Sequence, residues 1–206
     1  MVGKNRSSQN MLTDLIVTAE KNGATVAKII DVKNIAVDKR VRLKCAVPQC
    51  QYYNRHLLCP PNLMPVDEFE SILKLYRKAL ILQIEANVDS TDKSKKHLDF
   101  KLCKELEAET GKNEWVIKLH KLVNLMETYA FKQGFYLAAG LIGGQCHLCE
   151  ECVLPQSGQP CRRPFEARPS MEAMGIDVWK TCQNVGLPLK LTSKDKVRWT
   201  GLVLLY

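Results

Sequence analysis

The chain has 206 residues, 46% hydrophobic and 25% charged, which is typical of a globular protein with one core. The longest apolar run, residues 135–142, is too short to span a bilayer, and no apolar leader follows the basic N-terminus. We therefore expect a cytoplasmic protein without membrane insertion. Nine cysteines in such a chain favour metal or redox chemistry over a disulfide framework.

The formal charge of +8 does not by itself indicate nucleic-acid binding. Metal-bound cysteines are thiolates, and a cubane core of about +2 held by four of them has a net charge of about −2. The lysines and arginines are also interspersed with acids and lack the aromatic residues of a single-strand binding platform. We interpret most of them as solvated surface residues and expect no nucleic-acid partner.

Helical and strand patterns alternate along the chain. Residues 1–10 are polar and basic and predict a flexible tail that docks on a partner, whereas residues 11–206 predict one α+β domain. Apolar spacing predicts helices at 11–21, after Pro65, around 98–111, at 114–133 and at 178–185, strands at 24–30, 79–86, 135–142 and 199–206, and a polar loop at 87–96. This order predicts a small mixed β-sheet covered by helices, with two cysteine-rich loops at one end.

The later cysteine segment, residues 146–164, contains Cys146-x2-Cys149-x2-Cys152 and then Cys161 after eight intervening residues. Ferredoxins bind cubane iron–sulfur clusters with Cys-x2-Cys-x2-Cys and a more distant cysteine close to proline. Structural zinc sites usually divide their ligands into two separated pairs. The spacing favours an iron–sulfur cluster, with zinc and buried or disulfide-bonded cysteines as the alternatives. The preceding glycines, residues 143–144, predict a close approach of the backbone to the bound group.

The earlier cysteine segment, residues 45–61, reads Cys45-x4-Cys50-x8-Cys59-Pro-Pro. Together the two segments contain seven cysteines, one fewer than two fully thiolate-ligated [4Fe–4S] clusters require. Either one iron has a different or exchangeable ligand, or a cysteine outside the two segments completes the set. We predict two [4Fe–4S] clusters. Their cysteine ligands are Cys45, Cys50, Cys59, Cys146, Cys149, Cys152 and Cys161.

Two further cysteines and two histidines are candidates for the missing ligand. Cys182 lies on the apolar side of the predicted helix 178–185, and we interpret it as a buried core residue. Cys103 lies in a charged helical pattern and is interpreted as an ordinary side chain. His56 and His147 lie inside the two segments, where lone histidines are more often hydrogen-bonded neighbours than ligands.

Three arginines, Arg162, Arg163 and Arg168, are predicted to lie against the later cluster, where positive charge favours the reduced state. The alternative is that they pair with nearby surface acids, Glu150, Glu151 and Glu166. We interpret residues 170–173 as holding the geometry of a loop. The sequence has no P-loop, no GxGxxG after a strand, no radical-enzyme cysteine motif and no Ser/His/Asp arrangement, so no catalytic residue is predicted.

The ordered motifs resemble those of one family. The earlier segment with its Pro-Pro, the later segment with Cys161-Arg-Arg-Pro, and Arg-Pro-Ser-Met-Glu-Ala-Met-Gly-Ile-Asp-Val from residue 168 resemble the DUF2284 family of predicted metal-binding proteins. The resemblance covers the chain from about residue 12. It implies metal binding in anaerobic archaea and bacteria, supports iron–sulfur cysteines and implies no particular reaction.

Three functions are compatible with these observations. The first is an iron–sulfur accessory protein that transfers electrons, or responds to redox state or oxygen, while docked on a larger anaerobic redox or methyl-transfer complex, for example a corrinoid methyltransferase. The second is an enzyme that binds a small substrate at an open iron. The third is a structural zinc protein.

Overall fold

The computed structural model describes residues 8–87, 114–187, 189 and 196–206, and within them the chain forms five α-helices and four strands. In chain order these are α1 (Ser8–Lys21), β1 (Val26–Asp31), α2 (Arg40–Ala46), α3 (Val66–Leu73), β2 (Lys78–Asn87), α4 (Glu114–Lys132), β3 (Ala139–Leu141), α5 (Val178–Asn184) and β4 (Lys196–Leu205). Two short 3-10 turns occur at Val32–Asn34 and Pro155–Ser157.

The four strands form one sheet in the order β1-β2-β4-β3, and every pairing is antiparallel. The prediction of α and β elements around a small sheet is confirmed, but the prediction of a mixed sheet is wrong. Alternating strands and helices suggested crossover connections, which make parallel pairs. Here the connection that contains α2 and α3 returns the chain beside its starting strand, so β1 and β2 run in opposite directions.

Each face of the sheet carries its own hydrophobic core, because side chains alternate along the strands. One face packs against α1 and α4, and its buried residues include Leu15, Leu80, Leu82, Leu119, Val123, Met126 and Val203. The other face packs against α3, α5 and the turn at 171–176, and its buried residues include Phe69, Leu73, Ile81, Met171, Ile176, Cys182 and Leu202. The second core therefore lies beneath the segments that lead to the cysteines.

Most of the predicted elements are confirmed, and their boundaries change most near the cysteines. Helix α1 begins at Ser8, three residues earlier than predicted, and β3 covers only the centre of the predicted 135–142 strand. Residues 1–7 of the predicted tail, residues 88–96 of the predicted loop at 87–96 and the predicted helix at 98–111 lie outside the described residues, whereas Asn87 belongs to β2. No helix in the described ranges is long and apolar enough to cross a membrane.

Candidate metal centre

The earlier cysteine segment begins on a helix and continues as a series of turns. Cys45 lies in the last turn of α2, and its carbonyl accepts a hydrogen bond from the N–H of Cys50 at 2.9 Å. The N–H of Cys59 donates to the carbonyl of His56 at 3.2 Å. Arg42 fixes α2, since its Nε donates to the Ala173 carbonyl at 2.7 Å and its Nη2 donates to the carbonyl at residue 64 at 2.9 Å.

The later cysteine segment lies between β3 and α5 and has little regular structure. Its only described helical turn is the 3-10 turn at Pro155–Ser157. Arg162 closes the loop between Cys152 and Cys161, because its Nη1 donates to the Glu151 carbonyl at 2.7 Å. Val153 is the one hydrophobic residue of the segment that is buried. A segment with so little apolar burial depends on other interactions for its order.

Side chains of the two segments meet, although the segments are distant in sequence. The Tyr52 ring lies 6.5 Å from the His147 ring, and Gln156 Nε2 donates to the Asn54 carbonyl at 3.4 Å. The two segments also line one cavity together: His56, Leu57 and Leu58 from the first, and Cys146, Leu148, Cys149, Cys152, Cys161, Arg163 and Ala167 from the second and the residues after it. All four cysteines of the later segment therefore border one space. That the two loops bind clusters at one end of the sheet stays a prediction.

The thiols of both segments influence one another electrostatically. The pKa of Cys59 is raised to about 12. Burial is the largest cause, and the neighbouring thiols Cys50, Cys45, Cys152 and Cys146 add to it. Cys59 is therefore close to cysteines of both segments. Without metal this thiol is neutral at pH 7, so metal binding there must displace a proton.

A similar effect operates within the later segment. Burial raises the pKa of Cys146 to about 11, partly offset by a hydrogen bond from the Leu148 N–H and reinforced by Cys152, Cys149 and Cys161. These effects couple all four cysteines of the segment. Removing one thiolate would therefore change the electrostatic environment of the other three.

The donor set fits an iron–sulfur cluster on three observations. All seven predicted cysteine ligands are free and half-buried. Backbone N–H groups two residues further on donate to sulfur in two places, from Arg163 to Cys161 at 3.4 Å and from Leu148 to Cys146. In the part of the chain that the structure describes, the buried atoms His56 Nδ1 and His147 Nε2 have no hydrogen-bond partner, and His56 borders the cavity. Backbone and imidazole N–H groups can donate hydrogen bonds to the sulfurs of a bound cluster.

The geometry fits a single zinc ion less well. A zinc ion with sulfurs at about 2.3 Å needs its ligands crowded around one point. In the ranges that the structure describes, no three His, Cys, Asp or Glu side chains are arranged to hold one metal ion. Each thiolate of a cubane binds a different iron, so cluster ligands stand further apart than the ligands of one ion.

The three predicted arginines have different surroundings. Arg163 lines the cavity, donates its N–H to Cys161 and pairs with Glu166 at 3.4 Å. Arg162 holds the Glu151 carbonyl. Arg168 donates from Nε and Nη2 to both carboxylate oxygens of Glu127 on α4, at 2.7 and 2.6 Å. The expected pairing with nearby acids is thus seen for Arg163, whereas the role of all three arginines at a cluster stays a prediction.

Two charged residues beside Cys45, Arg42 and Glu172, are not predicted by the sequence to belong to the site. Burial lowers the pKa of Arg42, while the neighbouring Cys45 and Tyr53 act in the opposite direction. Burial raises the pKa of Cys45, and Cys50 and Glu172 raise it further. The only sequence signal for Arg42 is its position one helical turn before Cys45, which requires knowing that residues 40–46 are helical.

The outlying cysteines differ in what the structure shows. Cys182 lies on α5 and is fully buried in the hydrophobic core between this helix and the sheet, as predicted. Its sulfur accepts a hydrogen bond from Gln83 Nε2 at 3.7 Å. Cys103 lies outside the described residues. Gly143 lies against the backbone of β4, since a Cβ there would lie 2.7 Å from the Thr200 carbonyl oxygen. That residues 143–144 approach the bound group stays a prediction.

The comparison with protein families gives one result. A family model described as predicted metal-binding protein (DUF2284) matches residues 28–205 of the 206-residue chain. The chain belongs to the DUF2284 family. A search of curated proteins and a search of solved structures each found no match. For this DUF2284 protein the family supports metal binding, and the matched range contains both cysteine segments.

Proposed function

We propose that this DUF2284 protein is a cytoplasmic iron–sulfur accessory protein that carries two [4Fe–4S] clusters and passes electrons to a larger enzyme complex. The observation that carries the proposal is the cavity that His56, Leu57 and Leu58 of the earlier segment line together with the four cysteines of the later segment. Two clusters held so close together would allow an electron to move between them and then to the partner. The partner class we expect is a redox or methyl-transfer enzyme of anaerobes.

The residues around the cysteines suit this role. Each cluster, when bound, would supply reversible one-electron chemistry. Arg42 beside the earlier segment and Arg163 beside the later one place positive charge close to thiolates, which favours the reduced form and raises the potential. Leu57, Leu58 and Leu148 line the shared cavity and lower the local polarity. The chain therefore has the means to tune both sites.

A redox or oxygen response is the second function that a specific observation favours. The earlier segment contributes three thiolates, Cys45, Cys50 and Cys59, so one iron of its cluster has no cysteine ligand from that segment. Such an iron is the one most readily lost on oxidation. The same open iron is the basis of the alternative enzyme hypothesis, which turnover by the isolated protein would support.

The first test is the metal content of protein prepared without oxygen. We expect about eight irons and about eight sulfides per chain, with electron paramagnetic resonance signals of two interacting reduced clusters. The signal shape reports the separation of the clusters, which the geometry predicts to be short. About four irons would contradict the two-cluster proposal, and zinc in place of iron would contradict both clusters.

A second test concerns the partner surface. Phe165 is 90% exposed and lies between Arg163 and Ala167, which line the shared cavity. Exposed aromatic residues beside a functional site are typical contact residues. We expect Phe165→Ala to retain all iron and to lose most of the partner recovered from a native anaerobic lysate.

The matched control for Phe165→Ala is Leu75→Ala. Leu75 is 77% exposed, follows α3 and is not among the residues that line the cavity. We expect Leu75→Ala to recover the partner as well as the unaltered protein does. Equal recovery by both variants would remove Phe165 from the docking surface.

A further inference from the structure

The acidic residue Glu172 lies in a turn that is held in place by residues just before each of the two cysteine segments. Ile142, four residues before Cys146, pairs with this turn, since its N–H donates to the Pro169 carbonyl at 3.0 Å and its carbonyl accepts from the Met171 N–H at 2.7 Å. On the other side, the Asp38 N–H donates to the Gly175 carbonyl at 2.8 Å. The chain then continues from Asp38 into α2 and Cys45.

The path from α2 places the turn close to Cys45. Arg42, one helical turn before Cys45, donates its Nε to the carbonyl of Ala173 at 2.7 Å. Ala173 directly follows Glu172, so the backbone of the turn contacts α2, the helix whose last turn contains Cys45. The Glu172 carboxylate is also close enough to act electrostatically on the Cys45 thiol.

The carboxylate itself is held on one side and unpartnered on the other. It accepts hydrogen bonds from the Gly144 N–H and from the Ser170 hydroxyl, and Ser170 Oγ in turn accepts from the Ala173 N–H at 3.0 Å. Oε2 of Glu172 is buried and has no hydrogen-bond partner among the described residues. Burial raises the pKa of Glu172. As a carboxylate, a buried oxygen without a partner is unfavourable unless a cation or a metal occupies its free side, and otherwise the group holds a proton.

Arg42, the cation beside Cys45, does not fill that role. The guanidinium of Arg42 is directed to the carbonyls of Met64 and Ala173. Meanwhile the earlier segment offers three thiolates, whereas a cubane has four irons to ligate. The unpartnered oxygen and the missing ligand are thus found at the same place in the fold.

We propose that Glu172 is the fourth protein ligand of the cluster held by Cys45, Cys50 and Cys59, binding the iron that has no cysteine. This assignment rests on the proposed iron–sulfur function. In binding, the Glu172 carboxyl group releases its proton to solvent or to the departing hydroxide, and one of its oxygens donates an electron pair to iron in place of that water or hydroxide, so no electron is transferred. Carboxylate is a harder ligand than thiolate and holds cluster iron less firmly. Glu172 therefore makes one iron exchangeable under oxidation.

The test compares full-length protein, prepared without oxygen, as the unaltered chain, Glu172→Gln and Glu172→Cys. We expect about eight irons in the unaltered chain, about seven in Glu172→Gln with a [3Fe–4S] signal already present, and about eight in Glu172→Cys. On exposure to air, the [3Fe–4S] signal should appear several-fold more slowly in Glu172→Cys than in the unaltered chain, because thiolate binds that iron more firmly.

Glu85→Gln is the matched control, since Glu85 is a half-buried acid on β2 that pairs with Arg198 at 3.3 Å, outside the cysteine segments. We expect it to match the unaltered chain in iron and in air sensitivity. Eight irons and an unchanged rate of [3Fe–4S] formation in both Glu172 variants would overturn the ligand assignment. Loss of one iron in Cys103→Ser but not in Glu172→Gln would also overturn it. Four irons, or zinc, in the unaltered chain would instead contradict the proposed function.

Discussion

Replacing Cys149 with serine is expected to remove about four of the eight irons and to lower the free energy of unfolding by on the order of 5 kcal/mol. Cys149 is one of the four cysteines that line the shared cavity and couple to Cys146. The later segment has one buried hydrophobic residue, Val153, and one short 3-10 turn. A cluster that orders such a segment contributes its binding free energy directly to folding.

The control for Cys149→Ser is Cys182→Ala. Cys182 is fully buried against Gln83 and packs in the core beneath α5, so its removal leaves a small cavity that costs about 1 kcal/mol. We expect this variant to keep all its iron. Iron analysis and anaerobic thermal unfolding, followed by circular dichroism, measure both effects. A Cys182→Ala protein that loses a cluster, while Cys149→Ser retains both, would show that the ligand set is misassigned.

Local patterns in the sequence predicted the regular elements well where one face is strongly apolar. The stripe of α4, from Val116 to Ala130, is buried as its spacing indicated. The run at 79–86 is a central strand, paired on both sides. Asp177 caps α5 as expected, since its Oδ1 accepts from the Lys180 N–H at 2.8 Å. These features depend on residues close in sequence, so the sequence alone reveals them.

Helix α2 shows why the site itself was harder to predict. None of the residues of α2 has a buried side chain. The apolar residues before and within it, Ile35, Val37, Val41 and Leu43, alternate in a pattern that does not indicate a helix. The helix is fixed instead by the long-range bonds from Arg42 to the carbonyls at 64 and 173. Such tertiary contacts override local propensity and leave no periodic signal.

The charged partners near the later segment were also set by tertiary structure. Arg168 was expected to contact the cluster or a nearby acid, yet its guanidinium binds Glu127 on α4 in a bidentate pair. For residues 170–173 the sequence predicts only a role in loop geometry. The unpartnered oxygen of Glu172, and its proximity to Cys45, follow from the tertiary structure of the turn. The cysteine motif predicts the metal ligands, whereas the groups around them depend on which segments meet.

A second large effect is expected from Gly143→Ala, which should destabilise the fold by about 2–4 kcal/mol and remove iron from the later segment. A Cβ at position 143 would lie 2.7 Å from the Thr200 carbonyl oxygen on β4. Thr200 is paired with Gln83 of the central strand, so β4 cannot move away without breaking the sheet. Residues 143–145 must therefore shift, and Cys146 follows directly after them.

The comparison variant for Gly143→Ala is Gly134→Ala. Gly134 has a φ of +103°, and apart from its chain neighbours no heavy atom of the described residues lies within 4 Å of a Cβ built on it. Its substitution carries backbone strain of about 1–2 kcal/mol without a collision, at the end of α4 and outside both cysteine segments. We expect Gly134→Ala to unfold at a lower temperature than the unaltered chain but to hold all its iron.

Iron content and unfolding together separate a positional effect from general destabilisation. In Gly143→Ala the shift also moves Gly144, whose N–H supports the Glu172 carboxylate, so the iron that Glu172 binds should exchange faster as well. Both clusters would then respond to one methyl group placed against the sheet. If Gly143→Ala lost stability and kept about eight irons with unchanged air sensitivity, contact with β4 would not be what positions the cysteines.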